Sequence, residues 1–280
     1  MLVPMRELLL EAARGGYAVG SFDAGNLESA EGVLEAAVEN NAPIILAIAE
    51  AFFKDVRFET LVHAVREEAL PLKVPVAIIL DHGKSFESCV RAIQAGVTSV
   101  MFDGSSLPYE ENVRISKQMV SVAKAVGVST EAEIGHVGQG WEYEKTEETL
   151  TTPEEAVRFV EETGVDSLAV AVGTAHGKYK GEPKIDFERL AAIHEAVKLP
   201  LVLHGGSSTG DERLKKSIDY GIAKVNIYTD MSAEAVARIK KLLEEKPDNV
   251  RMNPLVQTTR AAFRDVAGHY IRLFGSANRA

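Results

Sequence analysis

The stretch Val76–Gly83, with the sequence VAIILDHG, decides how this chain folds. Its five apolar residues run without interruption, which predicts a strand buried on both faces, because a half-exposed strand would alternate apolar and polar residues. The run stops at the polar pair Asp81 and His82. Two further apolar runs stop shortly before His176 and His204, and a glycine follows each of these histidines. The pattern predicts a parallel sheet that gathers imidazoles at one edge.

Strand and helix patterns alternate along the whole chain. The candidate strands are residues 17–22, 43–49, 76–80, 99–102, 129–134, 167–172, 201–203 and 223–227. Helical patterns lie between them, and Thr152, Pro153 and Glu155 have the residue types of a helix start. About eight such units predict an α/β fold, a (β/α)8 TIM barrel, with a short N-terminal helix at 5–13 and extra C-terminal helices at 232–273. A doubly wound open sheet is the alternative.

Composition limits the class of protein. The chain has 280 residues, of which 46% are hydrophobic and 26% charged, as is typical of a soluble globular protein. The formal charge of -10 and the lack of a Lys/Arg stripe argue against nucleic-acid binding. The charged first residues do not fit a signal peptide or membrane span, and the single Cys89 fits a reducing cytosol. No linker is evident, so we expect one cytoplasmic domain, residues 1–280.

The three histidines at strand ends predict a metal site. If the strands are parallel, His82, His176 and His204 converge, and three imidazoles with an open fourth position are the ligand set of a catalytic zinc. Cobalt, iron or manganese could substitute. Glu133 and Asp103 also follow apolar runs; they could hold the metal in an alternative position or only cap the barrel mouth.

Asp81 and a group of small polar residues predict further chemistry near the metal. Asp81 could move a proton during reaction or orient a neighbouring imidazole. The loops after strands seven and eight often form a phosphate site in barrels, and Lys180 could add a positive charge there. The candidate phosphate donors are Gly177, Gly205, Gly206, Ser207, Ser208, Thr209, Asn226 and Thr229. A metal beside a phosphate pocket suggests a sugar phosphate as substrate.

Five motifs in combination resemble the class II zinc-dependent aldolases, nearest to the branch of the tagatose-bisphosphate and fructose-bisphosphate enzymes. They are LDHG at 80–83, EAEIG at 131–135, GTAHG at 173–177, LHGGS at 203–207 and KVNI at 224–227. The ending FGSANR at 274–279 is similar to that branch too, and the resemblance covers essentially the whole chain.

The resemblance implies roles for individual residues. His82, His176 and His204 would bind Zn²⁺, which stabilises the enediolate left by cleavage, and Asp81 would be the acid/base at the aldehyde oxygen. Glu133 matches a carboxylate that serves a second metal position, and Asp103 is a similarly placed acid. The residues that match binders of the C1-side phosphate are Gly177, Lys180, Gly205, Ser207, Asn226 and Thr229. Members often use a monovalent cation, Na⁺ or K⁺, and form homodimers or homotetramers.

Departures from the family pattern lie at the distal end of the substrate. Asp23 stands where the family usually has asparagine, and Tyr228 replaces an aspartate or a small residue. Ser232 stands where fructose-bisphosphate enzymes carry an arginine for the distal phosphate, so binding of that phosphate should be weakened. We therefore expect Asp23 and Tyr228 to contact a substrate that differs from fructose 1,6-bisphosphate. The family also has a mobile acid after strand five, for which Glu142 and Glu144 are candidates; a solvated lid is the alternative.

These observations favour a lyase, a metal-dependent aldolase that reversibly splits a ketose 1-phosphate or ketose bisphosphate into dihydroxyacetone phosphate and an aldehyde. Two other functions stay open. The chain could be a non-catalytic partner subunit of such an aldolase, or a metal-dependent sugar-phosphate epimerase on the same barrel.

Overall fold

The computed structural model describes residues 1–138, 140, 150–179, 181–246 and 250–280. Eight parallel strands close into a barrel in sequence order, and β8 pairs with β1 through the register Ser21 to Asn226. The strands are β1 Val19–Asp23, β2 Ile44–Ala49, β3 Val76–Gly83, β4 Ser99–Phe102, β5 Ser129–Ile134, β6 Ser167–Val170, β7 Leu201–Leu203 and β8 Ile222–Ile227. The predicted barrel is confirmed, and the open-sheet alternative is wrong because the sheet has no free edge.

Helices surround the barrel and fill its ends. They are α1 Met5–Gly15, α2 Leu27–Glu39, α3 Phe58–Ala69, α4 Phe86–Ala95, α5 Tyr109–Ala125, α6 Pro153–Thr163, α7 Phe187–Ala196, α8 Asp211–Asp219, α9 Thr229–Glu245 and α10 Met252–Leu273, with a 3-10 helix at Glu50–Lys54 after β2. The Thr152 side chain accepts a hydrogen bond from the Glu155 amide, so the predicted start of α6 is confirmed. No helix in the described ranges is long and apolar enough to cross a bilayer.

Alternate residues of every strand except β5 pack into two separate cores. In β3, Ala77 and Ile79 belong to a small cluster inside the barrel, whereas Ile78 and Leu80 pack outward against the helices. This explains why the strands read as unbroken apolar runs in the sequence: both faces are buried.

The N-terminal helix α1 closes the bottom of the barrel. Met5 and Leu9 are completely buried in the inner cluster, and the Met5 amide donates a hydrogen bond to the Ser99 hydroxyl. With this end blocked, the carboxyl ends of the strands form the open mouth, which is where barrel enzymes carry their reactive groups.

Candidate metal centre and active site

A backbone irregularity places two neighbouring residues of β3 in the same cavity. Successive residues of a strand normally point to opposite faces. The pairing of β3 with β4 shifts between Leu80 and Gly83, and His82 has a left-handed backbone with φ of 49°. As a result Asp81 and His82 both line the cavity at the barrel mouth. Strained backbone of this kind is concentrated at functional sites.

The three predicted histidines converge at the mouth. The ring centroid of His82 lies 4.9 Å from that of His176 and 4.5 Å from that of His204, and the last two are 5.9 Å apart. One ring nitrogen from each lies within 4.8 Å of the others, a separation that a single metal ion can span.

The hydrogen bonds of the rings leave one nitrogen of each imidazole for this shared point. His82 Nδ1 donates to Asp103 Oδ2 at 2.7 Å, and His204 Nε2 donates to Glu131 Oε1 at 3.0 Å, while His176 hydrogen-bonds the backbone of Val137. The remaining atoms, His82 Nε2, His176 Nε2 and His204 Nδ1, are buried without a hydrogen-bond partner, and His82 Nε2 lies 3.8 Å from Asp81 Oδ2. Buried nitrogens without partners are costly unless they bind something, so this donor set fits a divalent metal.

Burial and neighbouring charge set the protonation of the three rings. Burial, reinforced by His82, lowers the pKa of His176 to about 4, and burial lowers the pKa of His204 well below its usual range. Burial also disfavours the charged form of His82, but the carboxylates of Asp81 and Asp103 outweigh it and raise its pKa to about 10. Two rings are therefore neutral at pH 7, and metal binding would release a proton from the third.

A buried ion pair supports His204 from inside the barrel. Lys224 Nζ donates to both oxygens of Glu131 at 2.9 Å, and all three side chains are fully buried. The pairing of β7 with β8 shifts between Leu201 and Val202, and Lys224 lies level with Val19 on the neighbouring strand. The Glu131–Lys224 ion pair thus holds the Glu131 carboxylate in a position where this carboxylate can orient the His204 imidazole.

Asp81 and Asp23 form a second polar group in the cavity. Asn226 Nδ2 donates to Asp81 Oδ1 at 3.0 Å. Burial works to raise the pKa of Asp81, but the charges of His82 and other neighbours hold it below its usual range. Burial and the nearby Asp81 raise the pKa of Asp23 well above its usual range, and Asp23 Oδ1 has no hydrogen-bond partner.

Asp103 and Glu133 lie on the other side of His82. Asp103 accepts hydrogen bonds from His82, Lys84 and Ser105, and these partners hold its pKa far below normal even though burial opposes this. Glu133 is buried with one oxygen unpartnered, and burial followed by the charge of Asp103 raises its pKa to about 8. Ligand atoms of His82, Asp103 and Glu133 form a second group within 4.8 Å, which shares His82 with the three-histidine group.

Part of the predicted phosphate set lines the same cavity, whose volume is about 340 Å³, whereas Gly206, Ser208 and Thr209 are not among its described lining residues. Those that the cavity includes are Gly177, Gly205, Ser207, Asn226 and Thr229, together with Asp23 and Tyr228 from the distal set. Gly205 has φ of +68°, and a Cβ there would lie 2.4 Å from the Ala175 carbonyl oxygen. Only glycine lets these two loops approach so closely. Lys180, Glu142 and Glu144 lie outside the described residues.

Three residues of the site had no predicted role. Glu131 and Lys224 fall within motifs but inside strands, and the sequence does not reveal that the two charges pair. Tyr179 connects two loops, because its hydroxyl accepts from the Ala175 amide at 2.7 Å and donates to the Gly205 carbonyl oxygen at 3.2 Å. A lysine in an otherwise apolar strand was the one available signal, since lysine is rarely buried unless paired.

The fold and site define a barrel protein with a candidate three-histidine metal centre at its mouth, and comparison with known proteins narrows this class. The family model described as "Fructose-bisphosphate aldolase class-II" matches residues 3–279. The chain is 42% identical over 284 residues to proteins named fructose-bisphosphate aldolase from Staphylococcus epidermidis and from Geobacillus stearothermophilus, covering 100% of this chain and 99% of each relative. The crystal structure of the YdjI aldolase from Escherichia coli K12 superposes with a TM-score of 0.90 at 36% identity, covering 100% of both chains.

The chain belongs to the class II fructose-bisphosphate aldolase family. The predicted resemblance and the predicted activity are confirmed at this level: the protein is an aldolase, a lyase that yields dihydroxyacetone phosphate and an aldehyde. The family is zinc-dependent and acts on sugar phosphates.

Proposed function

We propose that this chain cleaves a ketose 1-phosphate reversibly with a divalent metal held by His82, His176 and His204. The observation that carries the proposal is the set of three buried, unpartnered imidazole nitrogens within reach of one ion. Zinc is the metal this ligand set favours, although other divalent metals could replace it. When bound, the metal supplies Lewis-acid polarisation of the ketose carbonyl beside the bond that breaks.

Asp81 is assigned the proton transfer at the aldehyde oxygen. It takes the proton of the C4 hydroxyl as the C3–C4 bond breaks, so that the C4 carbonyl forms and the bonding electron pair stays on C3. The hydrogen bond from Asn226 fixes the carboxylate, and the bulge in β3 brings it beside His82 in one cavity. In condensation the same carboxyl group returns the proton.

The other candidate site residues divide between the two ends of the substrate. Backbone and hydroxyl donors at the β6, β7 and β8 loops bind the C1 phosphate, and Lys180 adds charge; Gly177, Gly205, Ser207, Asn226 and Thr229 form this group. Glu142, or Glu144 in the same segment, exchanges the proton at C3. Glu133 and Asp103 serve a second metal position. Binding of the distal phosphate of fructose 1,6-bisphosphate is weakened, because Ser232 occupies the position of the family arginine.

We further propose that residues 1–280 act as one domain in the cytoplasm, as a homodimer or homotetramer, with a monovalent cation, Na⁺ or K⁺. The family resemblance supports the assembly and the cation. The single cysteine supports a reducing compartment.

The test is a coupled cleavage assay across C4 epimers of ketose phosphates, with and without a distal phosphate, before and after chelation. We expect chelator-sensitive release of dihydroxyacetone phosphate, and weaker activity on fructose 1,6-bisphosphate than on a substrate without that phosphate. Metal analysis of the purified protein distinguishes a non-catalytic partner subunit, which would contain no metal. An epimerase would conserve the carbon chain, so product analysis excludes it.

A further inference from the structure

A second cavity adjoins the active site on its distal side. Its volume is about 310 Å³, and it lies between the start of α2, the 3-10 helix Glu50–Lys54, and helices α9 and α10. Phe52 and Tyr228 line both cavities, and their ring centroids are 5.2 Å apart. The aromatic pair therefore lies where the two spaces adjoin.

The second cavity is lined by hydroxyl, amide and apolar groups. The half-buried Ser232 hydroxyl and the solvent-exposed Asp55 carboxylate line it, and neither side chain forms a hydrogen bond or ion pair with a residue in the described ranges. Phe263 and Ile239 give it an apolar wall. A mixture of carbon–hydrogen surface and free hydrogen-bonding groups matches a polyhydroxylated carbon chain, which presents both.

The charge of the second cavity argues against an anionic group at the distal end of the substrate. None of its described lining residues is lysine or arginine, whereas Asp55 is among them. A phosphate or carboxylate at this end would meet the Asp55 carboxylate and no bidentate partner.

The volume of the second cavity limits the length of the distal chain of the substrate. A water molecule takes about 30 Å³ of liquid volume, so a cavity of about 310 Å³ accommodates several hydroxymethylene groups. On the basis of the proposed aldolase function, we infer that the aldehyde half of the substrate is an uncharged polyol chain that passes the Phe52–Tyr228 pair and ends in the second cavity.

The experiment measures aldol condensation of dihydroxyacetone phosphate with a series of aldehydes on zinc-loaded protein. The series is glycolaldehyde, glyceraldehyde, glyceraldehyde 3-phosphate, and the tetroses erythrose and threose. We expect kcat/KM to be at least about 10-fold higher for the better tetrose than for glycolaldehyde, and lower for glyceraldehyde 3-phosphate than for glyceraldehyde. A preference for the phosphorylated aldehyde, or no gain with chain length, overturns the inference.

Two variants on α9 make the test specific to the cavity. Ser232→Phe fills it, so we expect at least a 10-fold loss with the tetrose and less than a twofold change with glycolaldehyde. Ala237→Phe is the control, because Ala237 is exposed on the same helix outside the cavity. If Ser232→Phe fails to fold, Val236→Trp at the exposed rim should give the same length-dependent loss.

The outcomes separate this inference from the proposed function. No condensation with any aldehyde, in protein that binds metal, refutes the proposed function itself. Normal glycolaldehyde activity with a tetrose rate unaffected by both cavity variants refutes only the inference. If Val236→Trp changes the oligomer mass in light scattering and leaves the tetrose-to-glycolaldehyde ratio unchanged, the cavity is a subunit contact and the inference is wrong.

Discussion

The two sides of the barrel mouth differ in how their charged groups are partnered. On the side of β4 to β8, Glu131 is paired with Lys224, and Asp103 with Lys84 and His82, and only one oxygen of Glu133 lacks a hydrogen-bond partner among the described carboxylates there. On the side of β1 and the 3-10 helix, the buried Asp23 and the exposed Asp55 form no ion pair with any described residue.

This difference in partners shows which side of the mouth is organised for chemistry and which side is organised for substrate recognition. A metal ligand must be held within a fraction of an ångström, and the outer hydrogen bonds of the imidazoles provide this. Groups without partners gain most from a ligand that supplies the missing hydrogen bonds. The partnered side is thus preorganised for metal binding, and the other side depends on the substrate.

The largest effect is expected when a metal ligand on the partnered side is removed. His204→Ala should lose the bound metal and at least about 1,000-fold in turnover, because a Lewis-acid metal contributes several kcal/mol to the barrier. Metal content by mass spectrometry and the cleavage assay check this. His63→Ala on the exposed face of α3 is the control. A full complement of tightly bound metal in His204→Ala would contradict the three-histidine site.

The second-largest effect is expected at Asp81. This residue and the metal ligand His82 lie in the same β-bulge, so a substitution of Asp81 tests proton transfer separately from metal binding. Asp81→Ala should keep its metal yet lose about 100- to 10,000-fold in turnover, the usual contribution of a general acid or base. The exposed Asp219→Ala on α8 should be unaffected. If Asp81→Ala instead loses metal and turnover together, Asp81 is structural support for the ligands.

A third test concerns the buried pair behind His204. Lys224→Met leaves Glu131 charged without its cation, and we expect metal affinity to fall about 10- to 100-fold, as for other outer partners of ligands. Competition with a chromophoric chelator measures this, with the exposed Lys215→Met as control. The free energy of unfolding should also drop by about 3–5 kcal/mol, and the double variant with Glu131→Gln should recover part of it. Unchanged metal affinity would mean that the Glu131–Lys224 pair only stabilises the barrel.

The smallest expected effect lies on the unpartnered side. The folded-state pKa of Asp23 is raised, so the folded chain binds its proton more tightly and loses stability as pH rises above the unfolded value of about 3.9. Asp23→Asn removes this loss. Its Tm should exceed that of the wild type by a few degrees at pH 7, roughly 2–4 °C per kcal/mol.

The pH dependence of that difference is the decisive observation. In chelator-treated protein, the Tm difference between Asp23→Asn and wild type should shrink toward zero as pH falls to about 4, where the carboxyl is protonated in both states. A difference that is constant with pH would mean that the effect is not electrostatic.

The predicted and observed strand boundaries show how well local sequence pattern predicts where a strand begins and ends. The runs 99–102, 129–134 and 201–203 coincide with the observed strands β4, β5 and β7. The predicted strand 76–80 ended too early, because β3 continues through a bulge to Gly83. The predicted strand 167–172 was too long, since β6 ends at Val170. Polar residues that continue a strand through an irregularity do not resemble a strand in sequence.

The sequence by itself determined the barrel and the identity of its three imidazoles, because apolar periodicity and a polar residue after each strand are local properties. Only the tertiary structure decided that each ring leaves one nitrogen free, that Glu131 finds Lys224 93 residues away, and that a second cavity opens beyond Phe52 and Tyr228. These features depend on distances between residues remote along the chain, and such distances exist only after the sheet has closed.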